Sequence, residues 1–302
     1  MSLPRPYQPD ALRPTERQAL DAWRTRVRAD REQVERLREI DDPSDYYAPV
    51  ANRFRADPYR KDDPVLDHLL ALARPEDRWV DIGAGGGRYA LPLAMKVREL
   101  VAVEPSPGMR EVLATSAAEH GIDNLAVRDT RWPPMSWIGR DGIDPEDHGD
   151  VALLAHVGYD IEDIGTFLDA AEAAARRLCV AVTSEGAMTT VATLFWQPVH
   201  GEPRVLLPAL PELLAVLIAR GRLPEVHLAG RIPSVADTLD DLVNTARRQL
   251  WVRPGSEKDQ RLLALVRERA TQRDGRWALE WSQARIGVVT WVPRDPPWHE
   301  TH

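Results

Sequence analysis

Residues 80–87 read Val-Asp-Ile-Gly-Ala-Gly-Gly-Gly, and Val101-Ala-Val-Glu104-Pro105 follows them. The types and spacing of these residues suit one kind of chemistry. Asp81 falls near the end of a short apolar run, and a glycine turn begins two places later. Gly83, Ala84 and Gly85 strip bulk from that turn, so a ligand can lie against the backbone. Glu104 ends the next apolar run. An ionised carboxylate there offers two acceptor oxygens and fits a vicinal diol. Dinucleotide-binding turns share this plan but read G-x-G-x-x-G, whereas here an acid stands two places before the first glycine. Two acids beside a bare turn call for a ligand carrying positive charge and a ribose, not one carrying a pyrophosphate.

The elements that must position these residues follow from periodicity. Apolar runs at 79–82, 99–103, 125–127, 151–155 and 179–183 predict strands. Helical patterns separate them: after the glycine turn through Tyr89 to Ala94, at 108–120 and at 164–177. The alternation predicts a parallel sheet covered by helices on both faces. Upstream, Thr15 with Gln18 forms a possible capping box, and Leu20, Trp23, Val27, Val34 and Leu37 recur at helical spacing. They predict an amphipathic helix at 15–40 lying on the core. A proline-punctuated connector, 41–64, and a short helix, 65–73, lead into the first strand. Downstream, 189–208 reads as an insertion. A helix at 211–220, a sixth strand at 226–228 and charged helices at 235–250 and 257–271 follow. Residues 277–281 and 286–292 are expected to form a closing hairpin, with the last strand at 286–292.

On the residues Asp81-x-Gly83-x-Gly85 and Glu104, the chain resembles the class I S-adenosylmethionine (SAM)-dependent methyltransferases of small-molecule type, similar to methyltransferase types 11 and 12. The resemblance covers roughly residues 75–185. It implies a Rossmann-like α/β fold with a central, mostly parallel seven-stranded sheet, an N-terminal helical extension and insertions after strands five and six. It implies SAM as cofactor and S-adenosylhomocysteine as product. Asp81 would reach the ammonium group, Glu104 the ribose hydroxyls, and Gly83, Ala84, Gly85 and Pro105 would border the cofactor. By the same resemblance Asp129 would take the adenine amino group, with Thr130 beside it and Trp132 over the ring. Ala155-His156 would end the fourth strand beside the donor methyl, and Glu162, Asp163 and Phe167 continue that match. Gly158, Tyr159 and Asp160 depart from it. The segment before the first strand, with Tyr46, Tyr47 and Arg53, would fold over the methionine end. Residues 1–60 are therefore expected to be a helical extension or lid, and 61–302 the methyltransferase domain.

Methyl transfer asks for alignment, exclusion of water and, for a hydroxyl or ammonium acceptor, a base. Candidate bases are His156, His200, Glu185 and Tyr159. His156 is the best placed, and His200 is expected to share its pocket. Trp196, Tyr159 and Arg53 are candidates for contact with the acceptor, a small molecule whose identity the sequence leaves open. A catalytically inactive SAM-binding regulator is the alternative reading. No Asn/Asp-Pro-Pro-aromatic motif follows strand four, and no His/Cys cluster has metal-ligand spacing.

Composition sets outer limits. The chain has 302 residues and a formal charge of −8, which speaks against a nucleic-acid partner. Its one cysteine, Cys179, lies in an apolar run and reads as a buried strand residue. No apolar stretch reaches membrane-spanning length, and the N-terminus lacks a secretion signal. A cytoplasmic enzyme, with a homodimer as one possibility, is the expectation.

Overall fold

The computed structural model describes residues 14–41, 45–138, 142–186, 190–230, 235–273, 275–279 and 285–294. The expectations for the first thirteen residues and for Trp281 lie outside this set. In chain order the helices are α1 (Glu16–Leu37), α2 (Pro64–Leu72), α3 (Ala90–Ala94), α4 (Pro107–Glu119), α5 (Met135–Ile138), α6 (Ile164–Ala174), α7 (Thr190–His200), α8 (Leu210–Ala219), α9 (Leu239–Leu250) and α10 (Glu257–Arg269). The strands are β1 (Arg78–Ile82), β2 (Glu99–Val103), β3 (Leu125–Arg128), β4 (Gly149–Ala155), β5 (Ala175–Ser184), β6 (Glu225–Ala229), β7 (Ala270–Arg273), β8 (Arg276–Leu279) and β9 (Ile286–Trp291).

Seven strands form one sheet in the order β3-β2-β1-β4-β5-β9-β6. β1 to β5 run parallel, and β9 lies antiparallel between β5 and β6. Both faces are covered, so the strands carry near-continuous apolar runs. Val80, Ile82, Val101, Val103, Leu154 and Ala181 face α1, α6 and α8. Trp79, Leu100, Ala102, Leu153 and Val182 face α2, α3 and α4. A fully buried Leu or Val contributes on the order of 1.5–3 kcal/mol, so the dense centre of this sheet fixes β1 and β4 firmly. Strand order reverses between them, and such switch points open a crevice at the carboxyl ends.

The capping box of Thr15 and Gln18 starts α1 as the spacing predicts. Trp23 and Val27 are part of the main core, so α1 belongs to the helical layer on that face.

Two expectations change. The helix after β4 ends at Ala174, and β5 starts at once at Ala175. Residues 175–177 are expected to continue the helix, but pairing with β4 from Gly149 onward draws them into the sheet. The expected closing hairpin also dissolves. Residues 276–279 pair with β7 in a separate two-stranded ribbon, while β9 inserts between β5 and β6. The ribbon, α7, α9 and α10 share their own apolar cluster, with Phe195, Trp196, Leu250 and Leu262 inside it. These segments follow β5 and β6, so the insertions expected there form a helical cap.

Candidate functional site

The turn after β1 is built for close approach. Gly83 N donates to Val103 O at 2.8 Å and Ala84 N to the same oxygen at 3.2 Å, so the turn folds back onto β2. Gly83 and Gly85 both have positive φ, at 78° and 56°. A Cβ on Gly83 would stand 2.4 Å from Val157 Cγ1, where the post-β1 turn meets the post-β4 loop. A Cβ on Gly85 would meet nothing within 4 Å: the open space of the turn lies there.

Two acids flank that space. Glu104 Oε2 accepts from Gly85 N and Oε1 from Ser106 N, both at 2.8 Å. Each oxygen keeps a second lone pair. Burial raises the Glu104 pKa, against the lowering effect of the two N–H groups and Arg110. Asp81 is 1% exposed, and its Oδ1 is buried with no hydrogen-bond partner among the described residues. Burial, reinforced by the charge of Glu104, pushes its pKa up to about 7. A buried carboxyl atom without a partner is costly, and this one stands on the strand that feeds the open turn.

The connector crosses this turn. Asp45 accepts from Ser106 Oγ at 2.9 Å and thereby fastens the connector to the start of α4. Phe54 O would lie 2.8 Å from a Cβ on Gly86, and Ala48 Cα 3.0 Å from one on Gly108. Glycine at both positions lets the connector seat. Tyr47 stands edge-on to Tyr46 and Phe54, with centroids 5.3 and 5.7 Å away. Its phenol is pushed up to about 12 by burial, with Asp160 and Glu104 adding to the effect. Arg53 reaches the cap, pairing with Asp241 and donating to Thr245 Oγ1 at 2.9 Å. An expected acceptor contact is thus a tie between connector and α9.

At the far side of the crevice, His156 ends β4 with φ 57°, a left-handed conformation rare outside glycine. Its Nδ1 lies 3.5 Å from Tyr159 Oη, which accepts from Ser184 N at 3.0 Å. Trp23 Nε1 donates to Ile161 O at 2.9 Å and pins the loop to α1. Ala155, just before His156, pairs with Val182 of β5. Tyr159 is 7% exposed and wedged into the core, so it buttresses His156 more directly than it faces solvent.

The adenine-side candidates are more open. Asp129 pairs with Arg110 at 2.7 Å while its side chain stays 73% exposed. Thr130 is half-buried beside it. Arg110 also donates to the carbonyls of Glu104 and Pro105, so one guanidinium braces the carboxyl ends of β2 and β3. Trp132 is buried in the main core with its Nε1 unpartnered. Sequence reasoning missed Arg110 and Asp45. Ser106-Pro107 does signal a helix start, but Asp45 is 61 residues from its partner and carries no local signal.

The post-β5 candidates lie elsewhere. Trp196 is wholly buried, under the Arg204 guanidinium at 4.1 Å and against the His200 ring at 4.3 Å. His200 Nε2 bonds to Leu250 O at 3.0 Å, and burial pushes the imidazole down to about 4. Both were expected to face an acceptor. They instead join α7 to α9, because α7 turns its apolar face into the cap core. Glu185 pairs with Arg285, which holds its pKa below the usual range.

Strand order, the antiparallel seventh strand and the turn at the switch point define the fold of class I SAM-dependent methyltransferases. Solved structures agree. A SAM-dependent methyltransferase from Geobacter sulfurreducens, in complex with S-adenosylhomocysteine, superposes with a TM-score of 0.50 at 17% identity, over 84% of this chain and 99% of that one. YjhP from Escherichia coli gives 0.51 at 14% identity, over 83% and 100%. YcgJ from Bacillus subtilis gives 0.50 at 16%, over 76% and 98%. No family model matches the chain. Among curated proteins it is similar to the 23S rRNA (uracil(1939)-C(5))-methyltransferase RlmD of Xanthomonas euvesicatoria, 34% identical over 100 residues, and of Bordetella parapertussis, 33% over 94. These alignments cover 30% and 28% of this chain and only 22% and 20% of the relatives.

Proposed function

We propose that this chain is a SAM-dependent methyltransferase acting on a small-molecule acceptor. The observation that carries the reading is the pair of buried carboxyls around an open glycine turn: Asp81, with an unpartnered oxygen, and Glu104, with a free lone pair on each oxygen. SAM fits that demand. Its ammonium supplies the missing cation for Asp81, its ribose diol supplies donors for Glu104, and bare backbone at Gly83–Gly85 admits its chain. SAM contributes a methyl group made electrophilic by the sulfonium. The protein's own residues do the rest. The connector, with Phe54 O seated against Gly86, covers one side of the turn, and Asp129 and Thr130 border the adenine end. His156 is the proton acceptor beside the methyl, held by Tyr159. Closure falls to the connector, with α1 built into the domain core; His200 and Trp196 serve as cap structure.

An RNA acceptor, suggested by the RlmD matches, is the second reading. A pyrimidine C5 is weakly nucleophilic until a thiolate adds to the ring. The single thiol, Cys179, is fully buried on β5, and burial pushes its pKa well up. That argues against a pyrimidine C5 as the acceptor atom.

Calorimetric titration with S-adenosylhomocysteine tests the donor site: micromolar binding is expected, weakened by Glu104→Ala, and no binding to the native protein overturns the proposal. Methyl transfer from labelled SAM to RNA, set against pooled small-molecule acceptors, then separates the two readings.

A further inference from the structure

The outer edge of β6 carries an interaction surface. Among the described residues this strand ends the sheet, with β9 on one side only. Four of its five residues, Glu225 to Leu228, are exposed. Edge strands are usually protected by proline, lysine, a bulge or a covering element. Within 225–229 there is no proline and no lysine, and its pairing with β9 runs without a bulge. Val226 stands opposite Val289, which packs with Leu213 and Leu217, so Val226 and Leu228 point to the α8 face. Both are 41% exposed. Ile218 at the end of α8 is 39% exposed and Leu223 in the turn before β6 is 91% exposed. Together they form an apolar rim along an open edge.

We propose that the occupant is a second copy of this chain, paired antiparallel through β6 about a two-fold axis at His227. The strand is complementary to itself in that register. Val226 falls opposite Leu228 of the second copy, and Leu228 opposite its Val226. Glu225 falls opposite Ala229, which is 3% exposed, so the exposed residues 226–228 form the centre of the ladder. A register centred on Val226 would bring in Pro224, which has no N–H to donate. A two-fold contact uses the same patch twice, and here the patch supplies both members of each apolar pair. The two seven-stranded sheets become one continuous sheet with the α8 helices side by side. On the other face His227 stacks on His68, centroids 4.1 Å apart and rings 3° from parallel, which leaves the axis position rigidly presented.

Analytical ultracentrifugation of the full chain tests this. A dimer at micromolar concentration is expected. Val226→Lys with Leu228→Lys is expected to be monomeric, with native circular dichroism and native affinity for S-adenosylhomocysteine. The register has its own readout. Residues directly opposite in antiparallel strands have Cβ atoms about 4.5–5.5 Å apart. His227→Cys is therefore expected to form a disulfide-linked dimer on mild oxidation, and Glu225→Cys is not; the buried Cys179 does not compete. A monomer at several hundred micromolar, or a dimer indifferent to the double lysine variant, overturns the proposal. Equal crosslinking of both cysteine variants overturns the register.

Discussion

Cofactor binding should expel a proton, and Asp81 is its source. In the free protein burial and the charge of Glu104 hold the Asp81 carboxyl at about 7, against 3.8 for an ordinary aspartate. Below pH 7 it is mostly protonated. A bound ammonium favours the carboxylate, so binding pulls the pKa back down and releases the proton. Affinity for SAM or S-adenosylhomocysteine then rises with pH up to about 7 and levels off above it. The ceiling follows from full restoration to 3.8: a thousandfold or so in affinity, about 4 kcal/mol at 1.36 kcal/mol per pH unit. Between pH 5.5 and 7.5 full restoration amounts to about a twenty-fivefold rise, and contact through water would give less, several-fold to about tenfold. Calorimetry at pH 6 in buffers of different ionisation enthalpy reads the proton directly, and approaching one released proton is expected. Asp81→Asn should remove both the proton release and the pH slope. A pH-independent affinity between 5.5 and 8 without proton release would refute the reasoning.

The sign for stability runs the other way. A carboxyl whose folded pKa lies above its unfolded value binds its proton more tightly when folded. That contribution is present at acidic pH and disappears as pH rises through about 7. The ligand-free protein should therefore lose melting temperature between pH 5 and 7.5 relative to Asp81→Asn, and saturating S-adenosylhomocysteine should narrow the difference.

Three further outcomes are expected. Glu104→Ala removes the two ribose bonds and strands the N–H groups of Gly85 and Ser106, so calorimetry should show a loss on the order of 2–4 kcal/mol in cofactor binding. Gly86→Ala puts a methyl 2.8 Å from Phe54 O; the connector must lift, and cofactor affinity should fall several-fold while the melting temperature changes little. Glu172 forms a buried ion pair with Arg222 and accepts from Trp291 Nε1 at 3.0 Å, so Glu172→Ala should lower stability by about 3–5 kcal/mol in denaturant titration, with no specific effect on the cofactor site.

What the sequence made legible and what it hid divide along the range of the forces involved. β1, β2 and β4 are short apolar runs bounded by turn residues, and their burial pattern is written locally, so the positions of Asp81, Glu104 and His156 at their carboxyl ends followed directly. The cap did not follow, because its placement depends on partners far along the chain. Trp196 and His200 read as an acceptor wall because an indole and an imidazole one helical turn apart are chemically suggestive. Nothing local says that Arg204 covers the indole or that Leu250 O takes the imidazole. The connector shows the same division in reverse. Its Tyr and Arg content suggested a cover, but which of its residues reach the glycine turn is set by small neighbours: Gly86 and Gly108 let Phe54 and Ala48 seat against them. The glycine turn therefore has two faces with different demands. Gly83 and Gly85 serve the crevice, one by fitting against Val157 and one by leaving space, while Gly86 serves the cover. On the proposed reading, a single Gly-rich string serves both the donor pocket and the connector that covers it, so substitutions at its third and fourth glycine-turn positions, Gly85 and Gly86, should separate ligand fit from closure.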